Sequence, residues 1–566
     1  MKVSDYIVSF FADKGITDAF GYPGGMVTHL MDSFSKQNRI RAHVNYHEQA
    51  SAFSACGYAQ ISRLPGVAYA TSGPGATNLI TGIANAYFDS VPCIFITGQV
   101  NTYEAKADTR VRQKGFQETD IVSIASSVTK YSFQITDEKD MRYQLEKAYH
   151  LAVSGRPGPV LLDIPMNIQR QEINPNELKS FFVKEDENKG ETELLKAQDM
   201  LYSAKRPCFL LGAGIKQSGE IKSVRQMISK LGIPVLSSMP AFDICPGHPL
   251  FYGFVGAYGS RTANFILAKS DLIISVGSRL DVRQTGSAKE NFAPGAKLVR
   301  IDIDKDEMSN KIKDDELQIQ THLKNAIDFF LKNTDTNRMS VKPWVTVCNS
   351  ISQKLDGLDM EAPHKMINAL SKLIPDNTVI TTDVGQNQVW IAQAFKAKEN
   401  QEILFSGGHG AMGYSLPAAI GAHYASGKKV VSFSGDGGIQ MNMQELQFVK
   451  RENLPVKIVI LNNNALGMIR HFQEMYFDKN YSQTVRSKGY TSPDFSKIAF
   501  AYDIPYYKVS SKSDLNEQLF DNDNPAVIEA ALCGDTYVFP KLAMNKPNQD
   551  QDPPIDRVLY NELMEL

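Results

Sequence analysis

The chain has 566 residues, enough for three or four domains, and its 43% hydrophobic and 22% charged residues are those of a soluble globular protein with ample core. Its 60 Lys and Arg against 62 Asp and Glu leave a formal charge of −2, which gives no electrostatic case for a nucleic acid partner or an anionic membrane surface. Six scattered cysteines (Cys56, Cys93, Cys208, Cys245, Cys348, Cys533) form no CxxC and no Cys/His cluster, which excludes a disulfide framework and a zinc site and leaves buried free thiols as the expectation.

The N-terminal stretch carries Asp5 and lacks the apolar core of a signal peptide. No run approaches the ~20 apolar residues that span a bilayer, so a cytoplasmic location without a membrane partner is expected. From Ser4 to Lys14 the spacing predicts an amphipathic helix, with Ser4 as N-cap and Gly15 as its stop. A short strand from Asp18 runs into the turn Gly21-Tyr22-Pro23-Gly24-Gly25. Residues from Arg41 read as a second strand ending on Glu48, and 49–60 as a helix of small residues able to pack closely on a sheet. The strand 67–71 leads into Ser72-Gly73-Pro74-Gly75-Ala76-Thr77-Asn78, and 91–97 and 158–164 add buried strands. Strands alternating with helices argue for a doubly wound parallel sheet over residues 1–171.

Residues 172–190 are polar and read as a linker. The second unit, 191–335, opens with a helix and the strand 208–211, followed by Gly212-Ala213-Gly214, a loose dinucleotide-type turn that is weak evidence alone. Strands at 271–276 and 297–302 fit another α/β sheet. After a second linker at 332–343, the third unit, 344–540, carries a strand into Asp383-Val384-Gly385-Gln386-Asn387 and a glycine turn from Ser406 to Gly413. The first and third units share a plan, with Ser72–Ala76 and Ser406–Met412 both glycine turns after a strand. The end, 541–566, is Pro-, Asn-, Asp- and Gln-rich and reads as a tail or lid.

The stretch that organises the chain lies at 429–465. A buried strand ends on Ser434-Gly435-Asp436-Gly437-Gly438; a helix follows, and the next strand delivers Asn462-Asn463-Asn464-Ala465. Gly435, Gly437 and Gly438 let backbone N–H groups and a helix N-terminus approach a phosphate. Asp436 and the Asn463 amide oxygen are hard ligands suited to Mg²⁺. Gly-Asp-Gly by itself also fits an ordinary βαβ turn with Asp436 as a helix cap, but Asn-Asn at the end of the very next strand makes the pattern specific.

With Glu48 after a strand, SGPGATN, GDG…NN and the Gly-Tyr-Pro-Gly-Gly turn, in order across all three units, the chain resembles the acetohydroxyacid synthase (acetolactate synthase-like) family of thiamine-diphosphate enzymes. The resemblance implies an α/β fold of three doubly wound parallel-sheet domains: pyrimidine-binding, central FAD-type and diphosphate-binding. It implies thiamine diphosphate, Mg²⁺ and FAD as cofactors. It also implies a homodimer or homotetramer with active sites between the first unit of one subunit and the third of another. Glu48 would hydrogen-bond the cofactor's aminopyrimidine ring, with His43 and His47 structural. Gly410 would offer its carbonyl to the amino group, and Met412 would hold the cofactor bent. Gly385, Gln386 and Asn387 match diphosphate contacts, although the family usually has His at Asn387. The Ala465 carbonyl would join Asp436 and Asn463 around the metal. Gly25, Phe116 and Gln117 match residues near the reacting carbon, and Gly212, Gly214, Gly256, Gly259, Arg279, Arg283 and Asp302 match the flavin side, with one arginine facing substrate.

Three departures point away from a valine/isoleucine enzyme and toward a different acceptor. Phe472 stands where biosynthetic members have a tryptophan that selects the acceptor, Met166 where they have lysine, and Gly256-Ala257-Tyr258-Gly259 where they have Gly-Met-His-Gly. The expectation is a carboligase that decarboxylates pyruvate and transfers the two-carbon unit to an acceptor carbonyl. That acceptor is a second pyruvate or an uncharged ketone such as a nucleotide-linked 4-ketosugar, as in a flavin-containing branch that makes branched-chain sugars. A flavin oxidoreductase resembling pyruvate oxidase is the alternative; a simple decarboxylase is disfavoured because the chain has no adjacent His-His pair to protonate the enamine.

Overall fold

The computed structural model describes residues 1–107, 109–183, 190–543 and 545–566. The core of the expected first linker, 184–189, lies outside the described residues. The chain folds into three six-stranded, wholly parallel sheets with helices between successive strands, the doubly wound α/β plan.

The first sheet contains β1 (Asp18–Gly21), β2 (Arg41–Val44), β3 (Gly66–Ala70), β4 (Cys93–Gln99), β5 (Tyr131–Gln134) and β6 (Val160–Pro165), in the order β2-β1-β3-β4-β6-β5. The second contains β7 (Pro207–Leu211), β8 (Val235–Ser237), β9 (Phe251–Phe254), β10 (Leu272–Val276), β11 (Lys297–Asp302) and β12 (Leu317–Gln320), in the order β12-β11-β10-β7-β8-β9. That order is the dinucleotide-binding one, with its reversal between β7 and β10. The third contains β13 (Thr378–Thr382), β14 (Glu402–Leu404), β15 (Lys429–Gly435), β16 (Val456–Asn462), β17 (Tyr506–Val509) and β18 (Ala526–Ala531), in the order β14-β13-β15-β16-β18-β17.

The first and third sheets therefore have the same topology, and this corrects the internal comparison made from sequence. The SGPGATN turn follows the third strand of its sheet, as Ser434–Gly438 does. Ser406–Met412 follows the second strand, and its counterpart is the segment leading into Glu48. The helices after those second strands, Glu48–Ser62 and Ser415–Ser426, pack on one another almost backbone to backbone. A Cβ at Gly57 would overlap the Ala418 carbonyl, and one at Gly421 would overlap the Ser54 carbonyl. Ser54 Oγ also donates to Pro417 O at 2.9 Å. A core including Phe20, Phe53 and Tyr58 from the first unit and Tyr414, Ile420 and Phe448 from the third runs through this contact. An alanine would ordinarily favour a helix over glycine, but here it meets backbone on both sides. Gly421→Ala is expected to destabilise the protein by about 1–3 kcal/mol, read as a lowered thermal midpoint; an unchanged midpoint would show that the helices part freely.

Several local expectations are corrected. The first helix is Val3–Asp13 with Lys2 at its N-cap, while Ser4 lies inside it and accepts from Ser33 Oγ at 2.8 Å. Glu48 is the first residue of its helix rather than the end of a strand, because the extended backbone of β2 stops at Val44 and His47 caps the helix. The strands that went unnamed are mainly sheet edges (β5, β9, β12, β14, β17); all are short, and all but the largely buried β14 are partly exposed, so they lack the continuous apolar run of a central parallel strand. Five cysteines are buried and free; Cys533 is exposed.

The segments between and after the sheets return to the second unit. The helix Lys342–Leu355 buries Trp344, whose Nε1 donates to Pro207 O at 3.1 Å. The C-terminal residues form a short antiparallel ladder, β19 (Lys541–Leu542) with β20 (Gln551–Asp552), then a helix, Arg557–Glu565, that buries Leu563. Among the described residues no helix is long and apolar enough to cross a membrane.

Candidate active site

In the third sheet the strand order reverses between β13 and β15, where a crevice opens beyond the carboxyl ends of the strands. Three loops meet there on Asp383. Its carboxylate accepts from Gly413 N at 2.9 Å and from Ser434 Oγ at 2.9 Å, and burial raises its pKa to about 6. A Cβ at Gly438 would stand 2.8 Å from Asp383 Oδ2, so that glycine lets the Gly-Asp-Gly turn close onto it. In the sequence Asp383 is an acid ending a buried strand, a signal that by itself assigns no role.

Asp436 leaves β15 and Asn463 leaves β16. The Asn463 side-chain oxygen lies 3.3 Å from Asp436 Oδ1 and 3.0 Å from Ala465 O. Reversing the amide would turn that oxygen into a donor, but Asn463 Nδ2 already donates to Gln386 Oε1 at 2.9 Å. Gln386 is held in this sense because its own Nε2 donates to Thr536 O at 3.0 Å. Three oxygens so placed, with no hydrogen between them, repel one another unless a cation lies among them; the donor set fits Mg²⁺, which takes hard oxygen ligands. Tyr490 OH donates to Asp436 Oδ2 at 2.8 Å and aims the carboxylate, and burial raises Asp436 to about 6. Among the described residues no three His, Cys, Asp or Glu side chains converge as metal ligands, so this carboxylate, amide and carbonyl set stands out.

Beside it lies a cradle for an anion. Gly385, at φ +119°, caps the helix Gln386–Ala394, whose N–H groups point into the crevice. Asn387 is buried with its Oδ1 unpartnered, and a Cβ at Gly435 or Gly385 would come within 3.6 or 3.7 Å of its Nδ2. A Cβ at Gly437 would meet Leu466 at 2.8 Å and Met412 Cε at 3.4 Å, so Met412 lies over the turn. Gly410, at φ +72°, is exposed two residues earlier.

The first sheet gathers a second cluster at its carboxyl edge. Glu48 is only 9% exposed, and Asn78 Nδ2 donates to its Oε2 at 2.9 Å. A Cβ at Gly75 would stand 3.2 Å from Glu48 Oε1, so the SGPG turn leaves that oxygen room. Gln117, at φ +63°, packs against Gly73, and Gly25 adjoins the same turn through Met26 N, which donates to Thr71 Oγ1 at 3.1 Å. Nothing stands within 4 Å of a Cβ at Gly25, and Phe116 is 79% exposed. Among the described residues no hydrogen bond joins Glu48 to Asp436 or Asn463 of the same chain. The two histidines of the region are structural: His43 pairs with Asp18 at 2.7 Å and stacks on Tyr424, and His47 Nδ1 accepts from Gln49 N at 3.1 Å as helix cap.

In the second unit Gly212 and Gly214 follow β7, and a Cβ on Gly212 would overlap the Gly277 carbonyl after β10, across the reversal point. A cavity of about 1180 Å³ opens there, lined by Gly214, Arg279, Arg283 and Asp302 together with Arg156 of the first unit and Gly407 of the third. Its volume and position suit a dinucleotide. Gly256, at φ +108°, backs the Arg283 carbonyl, which accepts from Ala257 N at 2.7 Å. Asp302 ends β11, and Asp304 N donates to its Oδ1 at 3.0 Å.

Two residues here are not marked by any sequence pattern: Arg156, which pairs with Asp304 at 3.0 Å and Glu307 at 2.6 Å, and Asp89, which accepts from Gly407 N and Gly408 N at 3.1 and 2.7 Å and is raised to about 7 by burial. These two tie units together over long separations and carry no local signal. Phe472, 45% exposed, lies on the helix Gly467–Tyr476, which begins two residues after Ala465.

Comparison with known proteins accords with this geometry. Residues 1–124, 194–329 and 383–530 match the N-terminal TPP binding, central, and C-terminal TPP binding domains of thiamine pyrophosphate enzymes. The chain is 35% identical over 552 residues to the acetolactate synthase large subunit of Lactococcus lactis, covering 95% of this chain and 94% of that one. It is 33% identical to the isozyme 2 large subunit of Escherichia coli, over 97% of this chain and 99% of that one. A chloroplastic acetolactate synthase of Nicotiana tabacum is 35% identical, over 96% of this chain and 83% of that one.

Proposed function

Because the chain belongs to the acetolactate synthase-like family of thiamine-diphosphate enzymes, we propose that it decarboxylates pyruvate and joins the remaining two-carbon unit to a second pyruvate, giving acetolactate. The observation that carries this reading is the oxygen-only convergence of Asp436, Asn463 and Ala465 beside a glycine-capped helix N-terminus. It is supported by the acetolactate synthase names of relatives aligned over almost the whole chain.

Thiamine diphosphate, when bound, supplies the carbon that accepts a ketoacid and the electron sink for decarboxylation. Asp436, Asn463 and the Ala465 carbonyl would hold Mg²⁺. The N–H groups after Gly385, the side chains of Gln386 and Asn387, and the Gly435–Gly438 turn would hold the diphosphate. Glu48 would hold a proton at its Oε1, the oxygen Asn78 leaves free, for the aminopyrimidine ring. Met412 would support the bend and Gly410 would accept from the amino group. Gly25, Phe116, Gln117 and Phe472 would wall the reacting space and exclude water. FAD would lie in the second-unit cavity beside Gly214 and the guanidinium groups of Arg279 and Arg283, with Asp302 at the adenosine end, while Gly212 and Gly256 do not line it and instead let their segments close onto Gly277 and Arg283.

The Glu48 and Asp436 clusters each present an open side bearing exposed apolar groups, among them Phe116 and Met441. This supports a homo-oligomer in which Glu48 of one subunit faces Asp436 of another. No observation favours the ketosugar acceptor or the oxidase. Purified protein given thiamine diphosphate, Mg²⁺, FAD and pyruvate should release CO₂ and acetolactate in equal amounts. Hydrogen peroxide in place of acetolactate, or a carbon adduct formed with a ketosugar only, would overturn the reading.

A further inference from the structure

Lys541 opens the ladder β19–β20 and is only 8% exposed, yet among the described residues no carboxylate pairs with its ammonium. Asp552, its register partner across the ladder, reaches toward Lys546 at 4.0 Å and acts on Lys541 only at longer range. The atoms around Lys541 Nζ are soft or aromatic: Met475 Sδ lies 3.1 Å away and the Phe472 ring centroid 4.8 Å away. On the helix that carries Phe472 and Met475, His471 stacks on Tyr537 and is lowered by burial to about 4, so it adds no competing positive charge, and the carboxylate of Glu474 is taken up by Tyr481, Tyr537 and Lys479. Burial without a paired anion holds the Lys541 pKa below the usual lysine value, and an anion arriving from outside would offset that cost.

Backbone hydrogen bonds tie the segment that carries Lys541 to the second unit. Leu542 N donates to Ala257 O at 2.6 Å, and Ala257 N donates to Arg283 O at 2.7 Å, so one residue of the second unit spaces the two cations. Gln393 Nε2 donates to Tyr258 O at 2.9 Å and tethers the same segment to the third unit. Arg283 stands over the Tyr258 ring at 5.8 Å. Phe472 and Met475, which meet Lys541, and Tyr476 belong to the helix that starts two residues after Ala465, and all three are more than a third exposed.

We propose that the Lys541 ammonium receives the carboxylate of the acceptor 2-ketoacid, seated against the Phe472 ring, and so selects a charged acceptor over a neutral one. The proposal rests on the carboligase reading. In the reaction the donor pyruvate loses its carboxyl group as CO₂. The electron pair from that broken bond forms the new carbon–carbon bond to the acceptor carbonyl, and the resulting alkoxide takes a proton. Lys541 touches neither pair of reacting atoms; it holds the acceptor's own carboxylate, which stays in the product. A neutral acceptor such as acetaldehyde, which gives acetoin, has nothing for Lys541 to hold.

The test uses the full chain loaded with thiamine diphosphate, Mg²⁺ and FAD, as wild type, Lys541→Met and Lys541→Arg. Acetolactate from pyruvate and acetoin from pyruvate with acetaldehyde are measured side by side. Lys541→Met should raise the pyruvate concentration needed for acetolactate at least tenfold, while acetoin formation at saturating acetaldehyde stays within twofold. Lys541→Arg should restore most of the acetolactate activity. A parallel loss of both products, or no change in either, overturns the role of Lys541 and leaves the carboligase reading standing. Wild-type protein forming neither product overturns both.

Discussion

Glu48→Gln should lower the turnover of pyruvate about 10²–10³-fold, the range of a lost proton-handling group, while leaving the affinity for thiamine diphosphate and the thermal midpoint close to wild type. Glutamine fills the same volume and can still pair with Asn78 by turning its amide, so the helix start and the contact at 2.9 Å need not change. What it cannot do is exchange a proton at the oxygen facing Gly75, where only a glycine leaves space. The comparison separates chemistry from binding: turnover falls, and cofactor affinity, read by fluorescence quenching on titration with thiamine diphosphate, does not. Loss of affinity in step with turnover would mean that Glu48 only anchors the cofactor. Unchanged turnover would remove it from the reaction.

Asp436→Ala should have the opposite signature, with retention of thiamine diphosphate collapsing by at least about 100-fold. This exceeds the 10–100-fold typical of changes one step removed from a metal. The substitution leaves Asn463 and Ala465 as two neutral oxygens, too few hard ligands to compete with water for Mg²⁺. Tyr490→Phe removes only the 2.8 Å hydrogen bond that aims Asp436, and its loss should be nearer tenfold and partly recovered by excess Mg²⁺. Equilibrium dialysis with labelled cofactor, with and without Mg²⁺, reads both. If Asp436→Ala retains the cofactor as wild type does, the three oxygens are not the metal site.

Much of the site was legible before any coordinates. Gly435–Gly438 and Asn463 were readable because each follows a continuous apolar parallel strand, so strand, turn and helix are written within a few consecutive residues. Glu48 was found as well but assigned to a strand. The true boundary depended on the His47 cap, a contact between neighbours that hydrophobic spacing does not register. The edge strands β5, β12 and β17 were not readable, since much of their surface faces away from the core and their composition follows that exposure.

The sequence by itself determined the doubly wound class and the order of the glycine turns, and it singled out Asp436, Asn463 and Glu48 as candidate site residues. Each of these depends on residues close in the chain, whose spacing and type decide local backbone geometry. Only the tertiary structure decided that the first and third sheets share one strand order, and that Asn463 turns its oxygen rather than its nitrogen toward Asp436. It alone placed Asp89 against a loop 319 residues later, Arg156 against one 148 residues later and Lys541 beside Met475. Those arrangements come from burial and charge meeting across separate units. A lone lysine, arginine or aspartate in sequence reads as a solvated surface residue, and only packing reveals that its charge has been taken out of water.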